Sequence, residues 1–342
     1  MKFNNLPYLV SKEILSHLPV ADLLIFSQCS KKHMSYIRNL LKHELPKIGH
    51  FSICSFNYEN WWQIGGDWYT YIEMMPSSEV GNSTVCKLRL FGMELSCCPA
   101  TDRDPMYVFG KEEHGDYLLE CFYNSIYTLF GSLVKYHLTV AKNDPSDRLK
   151  PTYHVPKLQP ITKCSVESRY TKELVKNLKE LLLVSPNMDY ISFTDITSYD
   201  LLDITRIPEI EIDRFRGNFG DFLRIFTGKR LRVDFVVVES QIDSTTVVEF
   251  LSAWKSKIAY GNMEALKIGC LSTPFNVDEI IEKCDIKQLD FPVEFKYQIS
   301  AACGTFEESF DSHHYIVREL DGRVASLKIT PECFEFGVWN WP

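Results

Sequence analysis

At 342 residues the chain has the length for two or three domains. Its 45% hydrophobic and 24% charged residues are the proportions of a globular protein with a buried core. No run of about 18 apolar residues is present, so no membrane span is expected, no positively charged apolar leader marks a secretory signal, and a net charge of −8 argues against non-specific nucleic-acid binding.

The first forty-odd residues form three short amphipathic segments. Leu6-Pro7 opens the first, since proline suits a first helical turn. Val10, Ile14, Leu15 and Leu18 follow at helical spacing, and Pro19 stops the helix. A second helix carries Leu23, Leu24 and Phe26. Ser30 is the expected N-cap of a third, which carries Met34, Ile37, Leu40 and Leu41. Segments below about 40 residues rarely bury enough surface to fold alone, so this end is expected to dock something. Residues 1–45 hold six Lys/Arg against three acids, a balance of +3 that suits an acidic partner.

Residues 51–110 read as β-rich, with strand formers at 51–56, 67–72 and 85–90 separated by Gly65-Gly66, Pro76 and Gly81-Asn82. Trp61, Trp62 and Trp68 read as core or edge anchors. A helix near 117–130 and a strand near 133–140 close this section. Four prolines between 145 and 160 mark a linker. Beyond it the pattern alternates. A helix with Leu174, Leu178, Leu181 and Leu182 ends at Ser185-Pro186, and strands centre on Ile191, Ile210, Val233, Leu266 and Leu289. Between the later strands, Thr246 and Glu249 read as a capping box for a helix burying Val247, Phe250, Leu251, Trp254 and Ile258. Asn276 caps another, with Val277, Ile280, Ile281 and Cys284 inward. Such alternation implies parallel pairing through right-handed crossovers. The strand steps of 19, 23, 33 and 23 residues leave two forms open, a degenerate leucine-rich-repeat-like solenoid and an ordinary α/β layer. The chain is therefore expected to be α+β overall, with three N-terminal helices (1–45), a β-rich region with a helix and proline-containing linker (46–160) and a C-terminal α/β layer (161–342).

No nucleotide-loop, zinc-protease or serine-nucleophile motif is present, and no catalytic residue, cofactor or metal site is expected. The eleven cysteines show no C-x-x-C pair, and free thiols in the cytoplasm or nucleus are the expectation. His313-His314 sits on a strand, where neighbours point to opposite faces. Glu112-Glu113 and Glu307-Glu308 read as solvated loops. Arg214, Arg216, Arg224, Lys229, Arg230 and Arg232 lie within nineteen positions. Arginine forks bind carboxylate or phosphate, so Arg214, Arg216, Arg230 and Arg232 are candidate contacts to an acidic target. Local pairing with Asp213, Asp221 and Asp234 is the competing reading.

Two resemblances add to this. Leu6-Pro7, Ile14-Leu15, Leu18-Pro19, Asp22-Leu23 and Cys29-Ser30-Lys31, in that order, resemble an F-box. The segments 236–240, 248–254 and 263–268, with 317–327 and 336–339, are similar to the F-box-associated domain of an expanded nematode F-box family. These resemblances imply a non-catalytic substrate receptor. Leu6, Pro7, Ile14, Leu15, Leu18, Pro19 and Leu23 would bind an Skp-type adaptor, and through it a cullin and RING subunit of a ubiquitin ligase. The C-terminal region would hold an unidentified target protein. The alternative is an interaction scaffold using the same adaptor without ubiquitylation.

Overall fold

The computed structural model of the protein describes residues 6–18, 20–40, 50–56, 61–66, 69–76, 86–98, 106–111, 114–131, 135–141, 161–169, 172–197, 204–236, 242–269, 274–301 and 304–339. Pro19, Leu41, Trp68, Glu112-Glu113 and the linker expected at 144–160 lie outside them, as do the side chains of Trp61 and Trp62. The chain divides into two compact units, residues 1–163 with 302–304, and residues 164–301 with 305–342.

The first unit opens with helices α1 (Tyr8–Ser16), α2 (Val20–Gln28) and α3 (Lys31–Leu40). Strands β1 (His50–Phe56), β2 (Trp61–Gly66), β3 (Tyr69–Pro76), β4 (Cys86–Leu90), β5 (Met93–Cys98) and β6 (Met106–Gly110) follow, then helix α4 (Gly115–Phe130) and strand β7 (Lys135–Ala141). The strands of this unit run in the order β7-β1-β2-β3-β6-β5-β4. The helix and last strand fall where the sequence put them, whereas β2, β5 and β6 add to the strands expected. The turn between β4 and β5 places Phe91 and Gly92 at φ of 51° and 82°, the left-handed pair that a two-residue hairpin loop requires. Helix α4 buries Leu118, Leu119, Phe122, Tyr123 and Ile126. Beneath it Tyr136 is fully buried and its hydroxyl donates to the Gly131 carbonyl at 2.8 Å.

The second unit holds β8 (Lys163–Arg169), α5 (Lys172–Val184), β9 (Tyr190–Thr197), β10 (Glu209–Arg216), α6 (Phe219–Ile225), β11 (Arg230–Val236), α7 (Ser244–Lys255), β12 (Ala265–Gly269), α8 (Val277–Cys284), β13 (Lys287–Ala301), β14 (Gly304–Val317), β15 (Val324–Thr330) and β16 (Cys333–Val338). Its strand order is β13-β14-β15-β16-β12-β11-β10-β9-β8. The parallel pairing expected of the alternating section holds across β9–β12, with Ile191, Ile210, Leu231 and Leu266 in one row. Phe193, Ile212, Val233 and Ile268 form the next row, and both rows are buried. Leu289 departs from the expectation. It belongs to β13, while β12 is flanked by β16 running antiparallel to it.

Two helix details also differ. Asp243, not Thr246, caps α7, its carboxylate accepting from the Thr246 N–H at 2.9 Å. That helix ends at Lys255, so Ile258 falls in the following turn and is 83% exposed rather than buried. Asn276 caps α8 as expected, accepting from the Glu279 N–H. Val247, Phe250, Leu251 and Trp254 form the buried stripe of α7.

Candidate functional site

The N-terminal helices form a small bundle braced against the rest of their unit. Ser30 caps α3, its hydroxyl accepting from the His33 N–H at 3.1 Å. Phe26 of α2 meets the His33 ring at 4.7 Å. Helix α2 buries Ala21, Leu23 and Leu24, and α3 buries Ile37. Both helices touch α4, and α2 also touches β3. The apolar face of these segments is thus covered largely from within the unit. Burial raises the pKa of Asp22, at the first turn of α2, above the ordinary carboxylate value.

Helix α1 differs. Its Leu15 and Ser11 are buried, but Tyr8, Leu9, Val10 and Ile14 are exposed, Leu9 by 74%. Val10 and Ile14 stand one turn apart and share a face. Large apolar side chains grouped on one short helix are the usual mark of an interaction surface.

Residues 3–45 match the family model of the F-box domain. The chain carries an F-box domain. Comparison with curated proteins and with solved structures returned no match.

Within the F-box, the residues expected at the docking face separate into two groups. Pro7 and Ile14 are exposed, and Leu6 and Leu18 are half-buried. Leu15 and Leu23 are buried in the F-box helices. Tyr8 and Leu9, which the sequence spacing did not single out, are exposed as well. Both sit in the first turn, off the Val10–Ile14 face, and periodicity counts only residues that repeat.

The arginine cluster lies in the second unit, on β10 and β11. Arg216 makes a two-point contact with Asp195 at 2.8 and 3.1 Å. Arg230 donates to Glu264 at 2.8 Å and lies 3.5 Å from Glu209. Arg232 donates from Nε to Asp234 at 2.8 Å and from Nη1 to Glu308. Arg214 is more exposed, 3.9 Å from Asp213. The acids expected as local partners serve Arg214, Arg224 and Arg232. Arg216 and Arg230 instead reach across neighbouring strands, which sequence adjacency does not reveal. Glu308, read as a loop residue, is a half-buried member of β14.

Among the described residues, no group of three His, Cys, Asp or Glu is placed to hold a metal ion. No helix of the described residues is long and apolar enough to cross a membrane. His313 and His314 lie on β14 with different exposure, as alternation requires. Burial pushes the Cys97 thiol up to about 12, the reverse of what an activated nucleophile needs.

Proposed function

We propose that this protein is a non-catalytic receptor subunit of a cullin–RING ubiquitin ligase. Its F-box binds an Skp-type adaptor, and its second unit holds a target protein. The observation that carries the reading is the F-box match over residues 3–45, joined to the exposed apolar side chains of α1. Burying such side chains on association yields roughly 25 cal/mol per Å² of apolar surface. The receptor then contributes proximity, and the transfer chemistry belongs to other subunits.

Tyr8, Leu9, Val10 and Ile14 are the side chains that contact the adaptor, with Leu6, Pro7 and Leu18 at the margin. Leu15 and Leu23 shape the surface from beneath. The second unit corresponds to an F-box-associated domain. Its in-register rows Ile191–Ile210–Leu231–Leu266 and Phe193–Ile212–Val233–Ile268 support a short leucine-rich-like solenoid. Solenoid sheets commonly present partner-binding surfaces. Co-purification with purified adaptor, with and without cullin, tests the reading. A receptor retains both in one complex. Retention of adaptor with exclusion of cullin indicates a scaffold instead.

A further inference from the structure

The parallel strands β9–β12 bury one face through their aliphatic rows. The alternate positions, Glu209 and Glu211 on β10, Arg230 and Arg232 on β11 and Lys267 on β12, make a charged face. The β13–β14 hairpin reaches this face. The Ser300 N–H donates to Glu209 Oε1 at 2.6 Å. Glu308 receives Nη1 of Arg232, the Tyr297 hydroxyl at 2.7 Å, and Lys267 Nζ at 3.8 Å.

Apolar anchoring of the hairpin lies further back. Phe295 meets Phe310 at 5.2 Å and Trp339 edge-on at 5.2 Å, and all three Phe–Phe–Trp rings belong to this end. Toward the tip, Tyr297, Ile299 and Ser300 are only half-buried and Phe306 is 43% exposed. The tip half is therefore held mainly by charge and hydrogen bonds.

We propose that Arg232 and Lys267 form a carboxylate-binding site filled in the free protein by the chain's own Glu308. The partner that fits it is an extended acidic segment of the target, whose carboxylate takes Glu308's place. This rests on the reading of the second unit as the target-holding part. The site is prepared for exchange. Asp234 holds Nε of Arg232 at 2.8 Å and keeps the guanidinium oriented when Glu308 withdraws. Arg232 and Lys267 are each only 27% exposed. Asp234 and Glu211 still face Nε of Arg232 when Glu308 withdraws, but its Nη1 and Lys267 Nζ lose their shared carboxylate, so an incoming carboxylate is favoured over an empty site. Tyr297 supplies a further donor beside them, which sets the shape of the segment around its acidic residue.

The test uses a fluorescent peptide copying residues 304–311 (GTFEESFD) and a second with glutamine at the position of Glu308. Both are titrated by anisotropy into the full-length wild type, Glu308→Gln, and Glu308→Gln combined with Arg232→Gln. In the wild type the tethered Glu308 competes at an effective concentration in the millimolar range, so binding is weak. Glu308→Gln is expected to bind the Glu peptide about tenfold more tightly than the wild type, and about tenfold more tightly than it binds the Gln peptide. Adding Arg232→Gln abolishes the preference. Equal binding of both peptides by Glu308→Gln, or binding of neither, overturns the proposal. Amide exchange in α7 checks that the fold persists. If Glu308→Gln melts the unit, Tyr297→Phe, which removes only the hydroxyl donor, must show the same ordering of peptides. Adaptor binding is measured in parallel. Its failure in the wild type counts against the receptor reading and leaves the peptide result standing.

Discussion

Trp254 is fully buried, as its place on the α7 stripe predicts. Its ring stands edge-on to Phe336 at 5.1 Å, and the Arg318 guanidinium lies 5.1 Å from its centroid. Trp254→Ala leaves a large void, and a loss of about 3–5 kcal/mol is expected by urea denaturation. Arg318 is itself buried and grips Asp321 through two hydrogen bonds of 2.8 and 2.7 Å. That contact holds the Asp321 carboxyl well below the usual carboxylate range. A depressed folded pKa contributes stability that is present above the unfolded value, near 3.9, and is lost as pH falls toward the folded one. The stability gap between wild type and Asp321→Asn should therefore be constant above about pH 5 and narrow below about pH 4. A gap that widens in acid would contradict the assignment. Asp321 is followed by Gly322 at φ of 69°, the left-handed conformation that suits glycine in a tight turn. The burial of Arg318 was not legible in the sequence, because nothing local links it to Trp254.

At the scale of elements, strong periodicity was readable and long-range covering was not. Helices α1–α3 follow from apolar spacing and the Ser30 cap. Strands β9–β12 follow from their alternation, because each brings its own aliphatic pair. Of the β13–β14 hairpin, only the strand centred on Leu289 and the strand setting of His313-His314 were recognised. Its strands mix Asp290, Glu294, Lys296, Glu307 and Glu308 with aromatics; Lys296 pairs with Glu294 and Glu307 on the exposed side, and only Glu308 makes sense against the charged face that it meets. The same limit applies within the F-box. Ile14 and Leu15 are adjacent and equally apolar, and only the fold shows that Ile14 faces out and Leu15 in. Leu15→Ala should cost about 2–5 kcal/mol by opening a cavity. Ile14→Asp should change stability by less than about 0.5 kcal/mol while weakening adaptor binding. Chemical denaturation of the two variants separates them, and equal destabilisation would contradict the assigned faces.

Over the whole molecule, the F-box is part of a larger unit rather than an appended peptide. Helices α2 and α3 rest on α4, and α2 rests on β3. A chain beginning at residue 46 is expected to expose part of α4 and to melt below the full-length protein. An unchanged Tm would mean that those contacts contribute nothing. This bracing fixes the F-box helices within the first unit. The second unit was readable as an α/β layer, and its charged face was readable only as a run of arginines. The measurement that bears most directly on the account is a calorimetric titration of full-length protein with purified Skp-type adaptor, repeated with Leu9→Asp and Ile14→Asp combined. The account predicts a one-to-one complex for the wild type and a loss of at least about a hundredfold in affinity for the variant, since two carboxylates would be buried in an apolar interface. Equal affinity of the two proteins, or no binding by the wild type, would contradict it.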